Sequence, residues 1–312
     1  MRLIKDKTSI DFLSKTRRRI GLAVSVVLVT ASLVSLATRG LEFGIDFTGG
    51  ILLEIGYPQA ADLELIRSDL ADEGYENAQV QLFGEENVVM VRLPPQEGAA
   101  DEIRERLQQT LHANDEGIEL RRVEFVSPQV GSELAEQGAL ATIFALLMIF
   151  LYVMIRFQWK FSAGAVAALA HDAIVTVGFF SIFGFAFDLT VVAAVLAVIG
   201  YSLNDTVVVF DRIRENFFAL RGRTSEEAMN ISINETLART IITGLTTLLV
   251  LVALLVFGGE SIAPFSIALI VGIVVGTYSS TYTASATALE LNVNAQDLIE
   301  PVKDQSLIDD LP

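Results

Sequence analysis

The chain has no cysteine and only two histidines, so it offers neither a disulfide framework nor a thiolate or histidine-rich metal cluster. It carries no glycine-rich phosphate loop, and no cofactor is implied. Bases are scarce as well: 22 Lys and Arg stand against 38 Asp and Glu, a net charge of −16. Such a balance argues against nucleic acid as a ligand.

What the chain has instead is hydrocarbon. Hydrophobic residues make up 52% of it and the mean hydropathy is +0.51. They gather in six runs, 20–38, 139–155, 161–185, 189–210, 237–257 and 262–289, each near the roughly 20 residues that cross a bilayer. The first run follows a basic start and could pass for a signal peptide. It exceeds the usual apolar stretch of about 7–15 residues, which predicts a retained anchor.

Bases fix the expected orientation. Arg2, Lys5, Lys7, Lys15, Arg17, Arg18 and Arg19 precede the first run, Arg156 and Lys160 separate the second from the third, and Arg212, Arg214, Arg221 and Arg223 follow the fourth. The positive-inside rule places these segments in the cytoplasm. Alternation then exports residues 39–136, and the N-terminal segment 1–19, the stretch 211–233 and the tail 290–312 stay cytoplasmic. The stretch 211–233 reads as a connecting helix.

Residues 39–136 hold seven Arg against 21 acids, a net −14, which reads as a solvated acidic surface. Their pattern is strand 51–55, helix 60–71, strands 78–83 and 88–93 joined by Gly84-Glu85-Glu86-Asn87, helix 99–112 and strand 117–126. That order is βαββαβ, the ferredoxin-like arrangement. His112 ends the second helix, where a cation suits the helix dipole. The expected fold is therefore a polytopic α-helical membrane protein of six transmembrane helices, with a small α+β ferredoxin-like domain between the first two.

Four ionisable groups interrupt the apolar runs: His171, Asp172, Asp205 and Arg239. Charges in hydrocarbon are costly, so they face a bundle interior and mark ion pathways. Asp205 lies six residues before Asp211, about 9 Å inside the cytoplasmic end of its helix. Arg239 opens the next span and can reach a similar depth along its apolar stem. Burial favours a neutral carboxyl and a guanidinium favours the carboxylate, so a change in their separation would load and release a proton. The competing reading is a permanent ion pair joining two helices. Thr243, one turn after Arg239, and Asn204, beside Asp205, are accessory candidates. Asn204 reads equally as helix adhesion and Thr243 as a backbone hydrogen bond. His171 and Asp172 sit near mid-membrane, as a proton relay or a helix lock. Gly272 and Gly276, followed by Thr277, Ser279, Ser280, Thr281 and Thr283, read as a close-packing seam.

Two motifs carry a family resemblance. Phe43-Gly44-Ile45-Asp46-Phe47-Thr48-Gly49-Gly50 marks a tight backbone path after the first span, and Gly200-Tyr201-Ser202-Leu203-Asn204-Asp205-Thr206 runs on through Asp211-Arg212-Ile213-Arg214-Glu215-Asn216. Together with the order of spans and Ala238-Arg239-Thr240 opening the fifth, the chain resembles the SecF family of protein-export membrane subunits over nearly its whole length. It departs from that pattern at 278–287, where the family reads closer to YSSIFIASP and this chain lacks the Pro.

The resemblance implies proton conduction through Asp205 with Arg239, a SecD-like subunit as the other half of the bundle, and export of a preprotein through the SecYEG channel in the bacterial inner membrane, with YajC a further candidate partner. Six spans are half of the paired repeats common in transporters, which agrees with a missing half. Two rival readings stand beside it. One is a passive scaffold of the translocon. The other is an intramembrane aspartyl protease using Asp172 and Asp205, although its usual GxGD context is absent.

Overall fold

A computed structural model describes residues 9–72, 74–75, 78–95, 117–220, 222–259 and 262–298. In chain order its elements are α1 (Lys15–Thr38), β1 (Glu42–Phe43), α2 (Ile45–Thr48), β2 (Gly50–Gly56), α3 (Leu63–Asp72), β3 (Gln79–Phe83), β4 (Glu85–Leu93), β5 (Glu119–Val126), α4 (Pro128–Arg156), α5 (Trp159–Phe183), β6 (Ala186–Phe187), α6 (Leu189–Ala219), α7 (Ser225–Phe257) and α8 (Ala263–Ser279). After α8 the last span passes through a π-helical turn, Ser280–Ser285, into α9 (Ala286–Glu290).

Among the described residues, six helices are long and apolar enough to cross a membrane. Hydropathy marks where such a helix lies in hydrocarbon, whereas caps mark where it begins, and the two differ. α4 starts well before residue 139, where Pro128 takes the first turn and the Ser127 hydroxyl accepts the Val130 amide at 3.3 Å. The expected connecting helix over 211–233 is absent as a separate element. Residues 211–219 continue α6 and residues 225–233 open α7, because backbone hydrogen bonding runs unchanged through the membrane surface. The break falls between them, where Gly222 takes φ 91° and Thr224 forms a capping box with Glu227.

Within the bundle α5, α6 and α8 are the most enclosed spans, and α4 and α7 are peripheral. Lipid is as apolar as leucine, so close packing rather than hydrophobic burial holds these helices together. α1 buries only Gly21, Ser25, Ser32 and Ser35. That stripe meets α5, where a Cβ on Gly178 would lie 2.2 Å from the Ser32 Cβ and Ser35 shares a hydrogen bond with Ser181 at 2.8 Å. The glycine pair in α8 works the same way: a Cβ on Gly272 would lie 2.1 Å from the Val198 side chain, and one on Gly276 would lie 3.1 Å from Ser202. The packing seam expected there is present, between α8 and α6.

The domain between α1 and α4 is an antiparallel sheet of order β3-β4-β2-β5. Ile51, Leu53 and Ile55 alternate onto one face with Val89, Val91 and Leu93, and α3 covers them with Ile66 and Leu70. The expected strands and first helix are there. The turn at Gly84, φ 76°, is tighter than four residues, since β4 already begins at Glu85. The expected second helix, 99–112, and His112 lie outside the described residues, so the complete ferredoxin-like assignment stays with the sequence pattern.

This domain is fastened to the bundle by the glycine motif. Gly49 and Gly50 take φ 69° and 127°, and side chains there would strike Pro128 and the Leu93 carbonyl, at 2.8 and 2.4 Å. The unusual backbone path read from the sequence is thus required by close approach. Asp46 accepts the Leu189 amide at 3.0 Å at the head of α6, and β1 pairs in parallel with β6 in the turn between α5 and α6.

Candidate functional site

The antiparallel contact between α6 and α7 decides which groups reach Asp205. Asn216 donates to Ser232 at 2.9 Å, Arg212 to Glu235 at 2.6 Å, and one step deeper Thr240 donates to Asp205 Oδ1 at 2.5 Å. Consecutive residues of a helix point about 100° apart, so a register that delivers Thr240 turns Arg239 off the seam. Arg239 lines the same crevice without an ion-pair contact to Asp205, so the permanent ion pair of the competing reading is not formed and hydroxyls hold the carboxylate instead. The other carboxylate oxygen, Oδ2, accepts from Ser280 at 2.8 Å, across the bundle on the π turn.

The crevice beside Asp205 is lined by Tyr201, Asn204, Val208, Arg239, Thr240, Thr243 and Thr277. It has room for about one water molecule. Both accessory candidates Asn204 and Thr243 are therefore at the site, although neither hydroxyl nor amide replaces Thr240 and Ser280 as a direct partner of the carboxylate. Asn204, Arg239 and Thr243 are exposed on this side of the chain.

His171 and Asp172 are brought close to the same place rather than standing apart from it. Asp172 is fully buried, and its carboxylate accepts from Ser202 at 2.5 Å on α6 and from Ser279 at 2.7 Å on α8. His171 Nδ1 lies 2.9 Å from the other oxygen, while its Nε2 is buried with no hydrogen-bond partner among the described residues. Ser202 is three residues before Asp205 on α6, about 4.5 Å along the axis, so the two acids differ in depth by about one turn.

Of the four hydroxyls at the two carboxylates, Ser279 and Ser280 read from the sequence only as part of a packing seam, and Ser202 and Thr240 only as members of the family motifs. The available signal was position. Ser202 and Thr240 fall next to the intramembrane charges, and the two adjacent serines close the GxxxG helix.

Six apolar helices with two carboxylates held between them define a multi-pass membrane protein that keeps its polar groups inside the bundle. Residues 106–294 match the family described as "Protein export membrane protein SecD/SecF, C-terminal" and residues 34–61 match "SecD/SecF GG Motif". The chain belongs to this SecD/SecF family of protein-export membrane proteins. It is similar to the protein translocase subunit SecF of Pseudomonas aeruginosa, 49% identical over 95% of this chain and 96% of that one. The subunit of the same name from Vibrio alginolyticus is 45% identical over 99% of each chain, and that of Escherichia coli O157:H7 is 42% identical over 89% of this chain and 87% of its own. The crystal structure of SecDF from Thermus thermophilus, a translocon-associated membrane protein, superposes with a TM-score of 0.83 at 35% identity. It is matched over 93% of this chain, which spans 40% of that longer chain. Relatives bearing these names are transport subunits, not enzymes, and the resemblance read from the two motifs is borne out.

Proposed function

We propose that this chain is the SecF-type half of an export accessory complex in which a proton passes through Asp205, with Arg239 as the group that controls its charge. The observation that carries this reading is the asymmetry around Asp205: two neutral hydroxyls hold the carboxylate, and the Arg239 guanidinium lines the narrow crevice beside it instead of pairing with it. A charge in hydrocarbon is stable when a guanidinium faces it and takes a proton when the guanidinium withdraws. Movement of α7 against α6 would therefore exchange a protonated for an ionised site, and the same movement is transmitted along α6 to its capped end at Asp46.

Several features support the remaining parts. Basic side chains at the bundle end opposite the sheet domain, Arg156, Lys160 and Arg212 among them, support a cytoplasmic location for that end and a periplasmic one for the sheet domain. The exposed polar rim of Asn204, Arg239 and Thr243 on a membrane-spanning face fits coverage by a SecD-like subunit, as the longer SecDF relative suggests by its name. SecYEG and a translocating preprotein are then the partners of the complex. The domain limits follow from the same topology, with 39–136 periplasmic and 139–289 forming the bundle after the first span.

The test is Asp205→Asn in the complex with the SecD-like subunit, measuring preprotein export and ion current in proteoliposomes. Loss of both is expected. Export and current both at parental levels would sink the conduction reading and favour a passive scaffold. Running the assay with and without Na⁺ separates the two coupling ions, since a carboxylate with two hydroxyl oxygens is also a donor set that Na⁺ can use.

A further inference from the structure

We infer that Asp172 is a second proton-binding carboxylate of the same site, coupled to Asp205 through the adjacent hydroxyls of Ser279 and Ser280 at the entrance to the π turn. This rests on the conduction reading for Asp205 and extends it.

Both serines have the same choice of acceptor. Ser279 donates to Asp172 Oδ2 at 2.7 Å or to the Gly276 carbonyl at 3.2 Å. Ser280 donates to Asp205 Oδ2 at 2.8 Å or to the Thr277 carbonyl at 3.1 Å. A hydroxyl has one proton, so each serine serves either the carboxylate or its own helix. When a carboxylate takes up a proton on the oxygen facing the serine, that oxygen can donate to the hydroxyl, and the serine can then turn its own proton to the helix carbonyl. The two alternatives sit one peptide apart, at the junction where α-helical hydrogen bonding gives way to the wider π pattern. Ser285 holds that junction by donating to the Ser280 carbonyl at 2.9 Å. Single π turns inside α-helices occur mostly at functional sites. Protonation of one acid therefore changes the hydrogen bonding of the turn on which the partner of the other is carried.

Two further observations belong to Asp172 itself. His171 Nε2 is buried without a partner among the described residues, and an orphaned buried ring nitrogen needs an explanation that a mere helix lock does not supply. With Nδ1 engaged by Asp172, that nitrogen is a place where a proton can be held. Gly276 makes the arrangement sterically possible, because a Cβ there would lie 3.1 Å from Ser202 and 3.5 Å from Asp172 Oδ2. The titratable or charged groups around the pair are His171 on α5, Tyr201 and Asp205 on α6, Arg239 on α7 and Tyr278 on α8. The last already donates to the Gly21 carbonyl of α1.

The experiment uses the complex with the SecD-like subunit in proteoliposomes. It reads proton flux with a pH-sensitive dye and follows the protonated-carboxyl infrared band of Asp205, assigned by its loss in Asp205→Asn. Asp172→Asn and Ser279→Ala are each expected to lower flux about tenfold and to move the Asp205 midpoint by about one pH unit, the shift that a tenfold coupling corresponds to. Parental flux together with an unmoved midpoint in Ser279→Ala overturns the inference, and that milder variant decides alone if Asp172→Asn does not accumulate. Should Asp205→Asn conduct normally while the midpoint still moves in Ser279→Ala, the conduction reading fails and the coupling between the acids stands.

Discussion

Asp46 accepts the backbone amide of Leu189 at 3.0 Å, joining the glycine motif after the first span to the first residue of the helix that carries Asp205. A carboxylate at a helix N-terminus satisfies an orphan amide and meets the positive end of the dipole. The neighbouring Asp188 caps the same helix through the Val191 amide at 2.9 Å, so the two acids divide the task.

Asp46→Ala therefore leaves α6 folded and loosens its attachment to the sheet domain, at a local cost of about 1 kcal/mol. Hydrogen exchange should accelerate at the Leu189 amide, while Val191 stays protected by Asp188. Export by the complex is expected to fall with proton flux retained. Loss of export and flux in equal measure would mean that the contact serves the site rather than the link.

Gly50→Ala meets two obstacles, a φ of 127° and the Leu93 carbonyl at 2.4 Å from the new Cβ. A forced backbone conformation of this kind costs about 1–3 kcal/mol, before the clash is counted. The thermal unfolding midpoint of the detergent-solubilised protein should drop by several degrees or more, whereas Gly40→Ala, with φ 73° but open space around it, should drop less. Equal drops would place the cost in φ alone.

Thr240→Val keeps the shape of the side chain and removes one of the two hydroxyls on Asp205. A hydrogen bond to a charged group contributes about 1.5–3 kcal/mol, so proton flux should change by about tenfold or more in the valine variant and by less than about twofold in Thr240→Ser. Valine and serine variants of equal flux would remove Thr240 from the site.

Gly272→Val presses a side chain into Val198 across the α6–α8 seam. Overpacking of this kind costs about 1–3 kcal/mol, and separation of the two helices also draws Ser280 from Asp205. Adding Val198→Ala should restore part of the thermal midpoint and of the flux. A strictly additive pair, with no coupling in the double-mutant cycle, would show that the two residues do not meet.

Much of this architecture is legible in the sequence alone, and the reason is the solvent. A bilayer demands long apolar runs with internal hydrogen bonding, so the six spans appear as runs and their order gives the topology. The strands of the sheet domain were legible for an equally local reason, the alternation of Ile51, Leu53 and Ile55 and of Val89, Val91 and Leu93. A separate helix over 211–233 is what the fall in hydropathy predicts, and the structure instead divides that stretch between α6 and α7. A helix leaving the membrane changes its neighbours and not its backbone, and the true break lay at the capping box of Thr224.

The site divides along the same line. The charges themselves, Asp172, Asp205 and Arg239, stand out by composition alone, since ionisable residues in apolar runs are rare. Their partners do not, because serine and threonine in a membrane helix serve equally as packing residues and as donors. Depth along the axis follows from counting residues, and it placed Asp205 and Arg239 correctly at one level. Direction around the axis depends on how two helices dock, and it put Thr240 rather than Arg239 on the carboxylate.

The sequence by itself determined the membrane class, the number and order of spans, the glycine motif and the identity of the buried charges, because each is written in local pattern and in the cost of placing polar groups in hydrocarbon. Only the tertiary structure decided that Asp172 and Asp205 are held by adjacent serines, Ser279 and Ser280, at the junction of α8 and the π turn. That relationship joins residues more than 70 positions apart through the register of α5, α6 and α8, and register is set by small residues allowing close approach, at Gly272 and Gly276 above all. No periodicity of a single segment contains it.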